Sequence, residues 1–126
     1  MSTLKVNDII EATSGGAKFD VPRAWVNFTG LGTTAIRDDV GVSSLTDNGT
    51  GDTTVTLSNT MANTTYCVIC QGHQSTSFNL SADGIGSHGH IQTSSTWRQS
   101  TRQTHYESGS NRDFHTVYST AYGELS

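Results

Sequence analysis

Residues 44–58 read SLTDNGTGDTTVTLS, and few backbone conformations accommodate that string. Gly49 and Gly51 follow Asp47 and Asn48. Glycine takes positive φ at little cost, and short Asx side chains close local hydrogen bonds, so the stretch is built for a tight turn. After it, Val55 and Leu57 alternate with Thr54 and Thr56. That period of two places the aliphatic pair on one face of an extended strand.

The same punctuation recurs along the chain. LKVNDII, RAWVNFTG, TTAIRDDV, TTYCVICQ and DFHTVYSTAYGEL are β-type runs, with weaker ones at 77–81 and 90–98. In DFHTVYSTAYGEL, Phe114, Tyr118 and Tyr122 share parity, which predicts a common face. No window carries a sustained apolar face at helical spacing. Strands at this density without helical interruption predict an all-β, antiparallel sandwich or jelly roll.

Composition bounds how such a fold is completed. The chain of 126 residues fits one domain, but only 33% is apolar, while Ser and Thr total 36 and Lys occurs twice. The core is thin for the length, and a partner subunit could supply some of it. A net charge of −4 argues against binding phosphate backbones. No apolar run reaches membrane-spanning length, and MSTLKVNDII lacks a signal peptide's basic-then-apolar order. The four Asn-x-Ser/Thr sequons, at Asn27, Asn48, Asn63 and Asn79, are expected by chance at this Ser/Thr content.

Both cysteines lie in YCVICQGH, residues 66–73, at C-x-x-C spacing, with His73 beyond. A zinc site places such a pair in a turn with further ligands nearby. Here the context is β-branched and aromatic, so the segment reads as a strand. Cys67 and Cys70, three apart, then point to opposite faces and share neither a metal nor a disulfide. Both are expected to be buried thiols acting as small apolar residues.

Residues 24–61, AWVNFTGLGTTAIRDDVGVSSLTDNGTGDTTVTLSNTM, resemble a module of short fibre-like proteins of marine and freshwater bacteriophages, cyanophages among them. The shared pattern is AWVNF, a Gly-Thr segment, Ile-Arg-Asp and SSxTDNGTGD, continued here by NTTYCVIC and closed by TVYSTAYGEL. The resemblance implies a virion structural protein, a β-rich homotrimer in a tail fibre, neck fibre or capsid appendage. It also implies that residues 1–22 attach the module to other virion proteins, with residues 23–126 forming the sandwich domain. Residues 74–113 fall outside the pattern, where a receptor-binding region would diverge.

Several constellations invite chemistry. Asp38 and Asp39 beside Arg37 suggest Ca²⁺ or a catalytic dyad, but a solvated turn with a local ion pair fits better, because a calcium loop spaces its oxygens more widely. Trp25, inside an apolar run, reads as a core or inter-subunit anchor before a sugar platform. GIGSHG, residues 84–89, satisfies G-x-G-x-x-G, yet HIQTSSTW follows instead of a helix, so no dinucleotide site is expected. No G-x-S-x-G occurs. His88 and His90, two apart, would face one side of a strand about 7 Å from each other. On a trimer axis, six such imidazoles could ligate a transition metal, an arrangement the phage-fibre resemblance favours. The segment at 96–115 interleaves Trp97, Arg98, Arg102, His105, Tyr106 and Arg112. Aromatic rings and guanidinium groups suit either a host-surface glycan or a subunit interface.

These readings lead to a non-enzymatic phage appendage contacting a glycan or protein of the host surface. A capsid decoration protein that cements the shell is the alternative, and a metal-dependent enzyme the third. The expected location is the virion, after assembly in the bacterial cytoplasm. Residues 24–61 and 114–125 are the expected scaffold, with Val55 and Ile69 in its core, and residues 74–113 the partner-facing surface.

Overall fold

A computed structural model describes residues 9–10, 18–19, 21–73, 84–104 and 110–126. The chain is all-β, with no helix among the described residues. Two short strands, β1 (Ile9–Ile10) and β2 (Lys18–Phe19), pair with each other. With Val21 and Pro22 they are what is described of the expected attachment segment, which otherwise lies outside the described residues. The remaining strands are β3 (Ala24–Thr29), β4 (Ala35–Val40), β5 (Val42–Gly49), β6 (Asp52–Leu57), β7 (Cys67–His73), β8 (Gly84–Thr93), β9 (Thr96–Thr104), β10 (Ser110–Asn111) and β11 (Thr116–Tyr122). They form two antiparallel sheets. One runs β4-β3-β11-β7. The other runs β5-β6-β9, with β8 along β9, and β10 paired to β9 beyond the stretch that β6 occupies.

Alternation assembles one core between the sheets. Ala24, Val26 and Phe28 face inward from β3, and Val117, Ser119 and Ala121 from β11. They meet Thr53, Val55 and Leu57 of β6 and Trp97, Gln99 and Thr101 of β9. Met61, Tyr66 and Phe114 fill in from the connections. The arrangement is sandwich-like, as the sequence predicts, and its largest fully buried side chain is Trp97.

The expected turn forms at residues 47–51. Gly49 and Gly51 both take positive φ, 123° and 62°. Asp47 Oδ1 accepts the Gly49 N–H at 2.8 Å. Gly51 is held from farther away: its N–H donates to Asp113 Oδ1 at 2.6 Å, and its carbonyl accepts the Thr101 N–H. A Cβ there would stand 2.5 Å from the Thr101 carbonyl oxygen. β8 and β9 meet in a second tight turn at Ser94 and Ser95, within the run expected to be one strand. Thr93 Oγ1 accepts the Ser95 N–H at 3.1 Å, so a threonine hydroxyl does the work that Asx side chains do elsewhere. The Tyr66 hydroxyl sits 2.9 Å from both the Thr93 and Thr96 carbonyl oxygens and ties this turn to the start of β7. Burial raises the Tyr66 pKa above the ordinary phenol value.

The sandwich is closed along one side and open along the other. Where β7 meets β8, Gly89 lies so close that a Cβ would stand 2.9 Å from Cys70 Sγ. On the far side, β4 and β5 are the edge strands of the two sheets. Five of the six β4 residues are exposed, so neither face of that strand is well covered. Asp38 and Asp39 lie in β4, not in a turn. Arg37 reaches Thr116 Oγ1 at 2.7 Å, which replaces the expected pairing with its acidic neighbours.

Four assignments are corrected. Trp97 is completely buried, because β9 is an interior strand flanked by β6 and β8, so residues 74–113 contribute to the scaffold. Ile69 is 56% exposed, because Val68, Cys70 and Gly72 take the inward positions of β7. Cys67 is exposed as well, although the two thiols do face opposite ways and remain unpaired. Phe114 is buried while Tyr118 is exposed, because β11 begins only at Thr116 and the parity breaks before it.

Candidate functional site

Three strands of the four-stranded sheet carry a groove on their outer face. Register sets its composition. Asn27 of β3, Tyr118 of β11 and Gln71 of β7 lie in one cross-strand row. Trp25, Thr120 and Ile69 lie in the next. All six point away from the core, since their neighbours Val26, Ser119 and Cys70 point toward it. The short Thr120 between the bulky Trp25 and Ile69 leaves a depression of about 300 Å³. The groove wall contains no ionisable acid, lysine, arginine or histidine.

The polar groups here are uncharged. Thr120 Oγ1 donates to the Ala24 carbonyl at 3.3 Å, which leaves its oxygen able to accept. Asn27 Oδ1 is buried and has no hydrogen-bond partner in the protein. An unpaired buried acceptor of this kind costs about 1–3 kcal/mol until a donor reaches it. Ile69 and Tyr118, the latter 45% exposed, remain open to an incoming surface. Trp25 is therefore not a core residue; it stands half-buried on the outer face.

The residues singled out from sequence lie elsewhere. Arg98 and Arg102 are exposed on the outer face of the five-stranded sheet. Arg98 Nε donates to Asp52 Oδ1 at 2.6 Å, and its Nη2 closes the ion pair with Oδ2. That guanidinium holds the Asp52 carboxyl below the usual carboxylate range. His88 and His90 are both exposed on the same face, and His90 stands opposite Arg98 in the ladder. Among the described residues, no three His, Cys, Asp or Glu side chains gather to hold a metal ion. A metal on this H-x-H pair would need ligands from other copies. Arg112 is exposed beyond β10, where its carbonyl accepts the Thr101 hydroxyl at 2.5 Å. His105 and Tyr106 lie outside the described residues. Trp97 is separated from Arg98, Arg102, His88 and His90 by the sheet itself.

The groove residues other than Trp25 were missed because their signal is weak. Asn27, Gln71 and Thr120 are ordinary strand-surface residues until the register aligns them. No membrane-spanning helix occurs among the described residues. Comparison of the chain with known protein families, with curated proteins and with solved structures finds no significant match in any of the three.

Proposed function

We propose that this chain is a bacteriophage virion structural protein, a non-enzymatic fibre or similar appendage that contacts the host surface as a homotrimer. The observation that carries the assembly is the open side of the sandwich. β4 is exposed at nearly every position, and its Ile36 and Val40 are 37% and 51% exposed. An edge strand left uncovered, with Ile36 and Val40 exposed beside Arg37, Asp38 and Asp39, is a pairing surface, and a neighbouring copy is the partner that covers it in every subunit alike. The same strands belong to the stretch that resembles the phage fibre module, which supplies the virion context.

Light scattering of the purified protein is expected to give three times the 13.5 kDa chain mass. Val40→Glu should shift it toward monomer without changing the β-sheet spectrum. A parent protein that stays monomeric at micromolar concentration would refute the assembly. Gold-labelled antibody on intact virions, viewed by electron microscopy, is expected to mark a tail or neck fibre. Label spread over the capsid would instead favour a decoration protein.

A further inference from the structure

We propose that the groove formed by Trp25, Asn27, Ile69, Gln71, Tyr118 and Thr120 binds a neutral saccharide. The inference rests on the appendage reading, because it names the chemical class of what such an appendage would hold.

The lining fits a sugar better than the other ligand classes. A pyranose ring has one C–H-rich face and a rim of hydroxyl groups. Trp25 and Tyr118 offer aromatic surface to the first, since such side chains combine an apolar body with a polar handle. The row Asn27–Tyr118–Gln71 offers a phenol between two amides to the second. Amide groups donate and accept together, which is what a hydroxyl requires of its partner. Asn27 Oδ1 lacks a donor within the chain, and a turn of this half-buried side chain toward the groove would let a sugar hydroxyl supply one without bringing charge into the site. With no charged residue in the wall, a phosphate, sulfate or carboxylate would lose its hydration and gain no counter-charge. A volume of about 300 Å³ lies at the small end of ligand sites, the scale of one or two rings.

A second copy of the chain is the competing occupant. It would bury Asn27 and Gln71 at the centre of an interface, where unmatched amides weaken packing. The exposed strand β4, with Ile36 and Val40 uncovered, lies at the sheet edge and offers self-association a separate surface.

The two tryptophans make the test direct. Trp97 is sealed in the core, so a fluorescence change on titration reports Trp25. The full-length protein would be titrated with glucose, galactose, mannose, N-acetylglucosamine, maltose and cellobiose, each to 100 mM on the order of weak single-site sugar binding. Saturation-transfer NMR on the same samples would identify the bound protons. At least one neutral sugar is expected to bind. Asn27→Ala and Gln71→Ala should each weaken it tenfold or more, and Trp25→Phe less than Trp25→Ala. Arg98→Ala, on the opposite face, should leave it unchanged, and glucuronate should not compete.

Failure of every sugar to shift the fluorescence or show saturation transfer overturns the proposal, as does binding that survives Asn27→Ala and Gln71→Ala. Loss of the trimer in Trp25→Ala or Ile69→Glu, with no sugar binding in the parent, assigns the groove to a second copy and also overturns it. The appendage reading fails separately, if labelled virions show the protein elsewhere while the purified chain still binds sugar.

Discussion

The two outer faces of the sandwich are built on opposite principles. The face of the five-stranded sheet shows Asp52, Thr54, His88, His90, Arg98 and Arg102, and its charges answer one another within the chain, as Arg98 does Asp52. Water and internal partners satisfy it. The face of the four-stranded sheet carries Arg37 and Asp38 on its edge strand β4, but its groove shows Trp25, Ile69 and Tyr118 among neutral amides, with one buried acceptor unpaired. It is the surface that gains most from being covered. Richness in Arg and His therefore does not mark the face with the uncovered aromatic groove, and the recognition surface proposed above falls on strands of the scaffold.

The sharpest way to break this contrast is to exchange the fates of the two tryptophans. Trp97→Ala removes a fully buried indole and should cost about 3–5 kcal/mol, enough to prevent stable folding. Trp25→Ala should cost less than about 1 kcal/mol, as outer-face substitutions do. Urea or thermal unfolding of both variants decides it. Equal losses would mean that Trp25 belongs to the core after all. Gly51→Ala comes next. Its φ of 62° and the Thr101 carbonyl in the way predict a loss of about 2 kcal/mol or more, read by the same melts.

A moderate effect separates the core from the outer face of β7. Val55→Ala should destabilise by about 1–3 kcal/mol, whereas Ile69→Ala, on the outer face, should stay within about 0.5 kcal/mol. The thiols report the same division without mutation. Burial pushes the Cys70 pKa up to about 12, while Cys67 is exposed. A thiol-specific reagent at pH 8 should modify one cysteine per native chain and two after denaturation. Two fast equivalents in the native state would contradict the placement of β7.

The smallest effect belongs to the charged face. The folded pKa of Asp52 is lowered by its hydrogen bond to Arg98, so its contribution is fully present above the unfolded carboxyl value near 3.9 and fades as pH falls through the lower folded one. Asp52→Asn should lower the melting temperature slightly at pH 7, where the carboxylate's contribution is fully present, and converge with the parent as pH falls below about 4, which flattens the acid limb. A variant that melts far below the parent at neutral pH would show the pair to be structural.

How much of this was legible depends on where alternation is visible. The turn at 47–51 and the faces of β6 could be read because aliphatic and hydroxyl side chains alternate cleanly there. β9 hid its role because its inward positions hold Trp97, Gln99 and Thr101, a single apolar residue and two polar ones. Gln99 Oε1, Trp97 Nε1 and Ser119 Oγ are buried there without protein partners, so this part of the core is polar as well as packed. In β7 the opposite problem arises. Tyr66 to Cys70 is apolar throughout, and an unbroken run carries no phase, so Ile69 could not be placed on a face. The groove needed the register of three strands, two of which, β3 and β11, lie far apart in the chain.

That last pairing has a consequence for how the protein comes into being during synthesis. β11 lies between β3 and β7 in the four-stranded sheet, and Thr120 bonds Ala24 across 96 positions. Until β11 has emerged from the ribosome, β3 and β7 have no strand joining them, and the inward residues of β3 lack half their lateral support. The β5–β6 hairpin forms from local sequence, but the sheet that bears the groove waits for a strand 96 positions beyond the start of β3. A nascent chain therefore holds one edge of β3 open until β11 emerges, and its Ala-Trp-Val-Asn-Phe strand is meanwhile open to wrong pairing with another nascent copy.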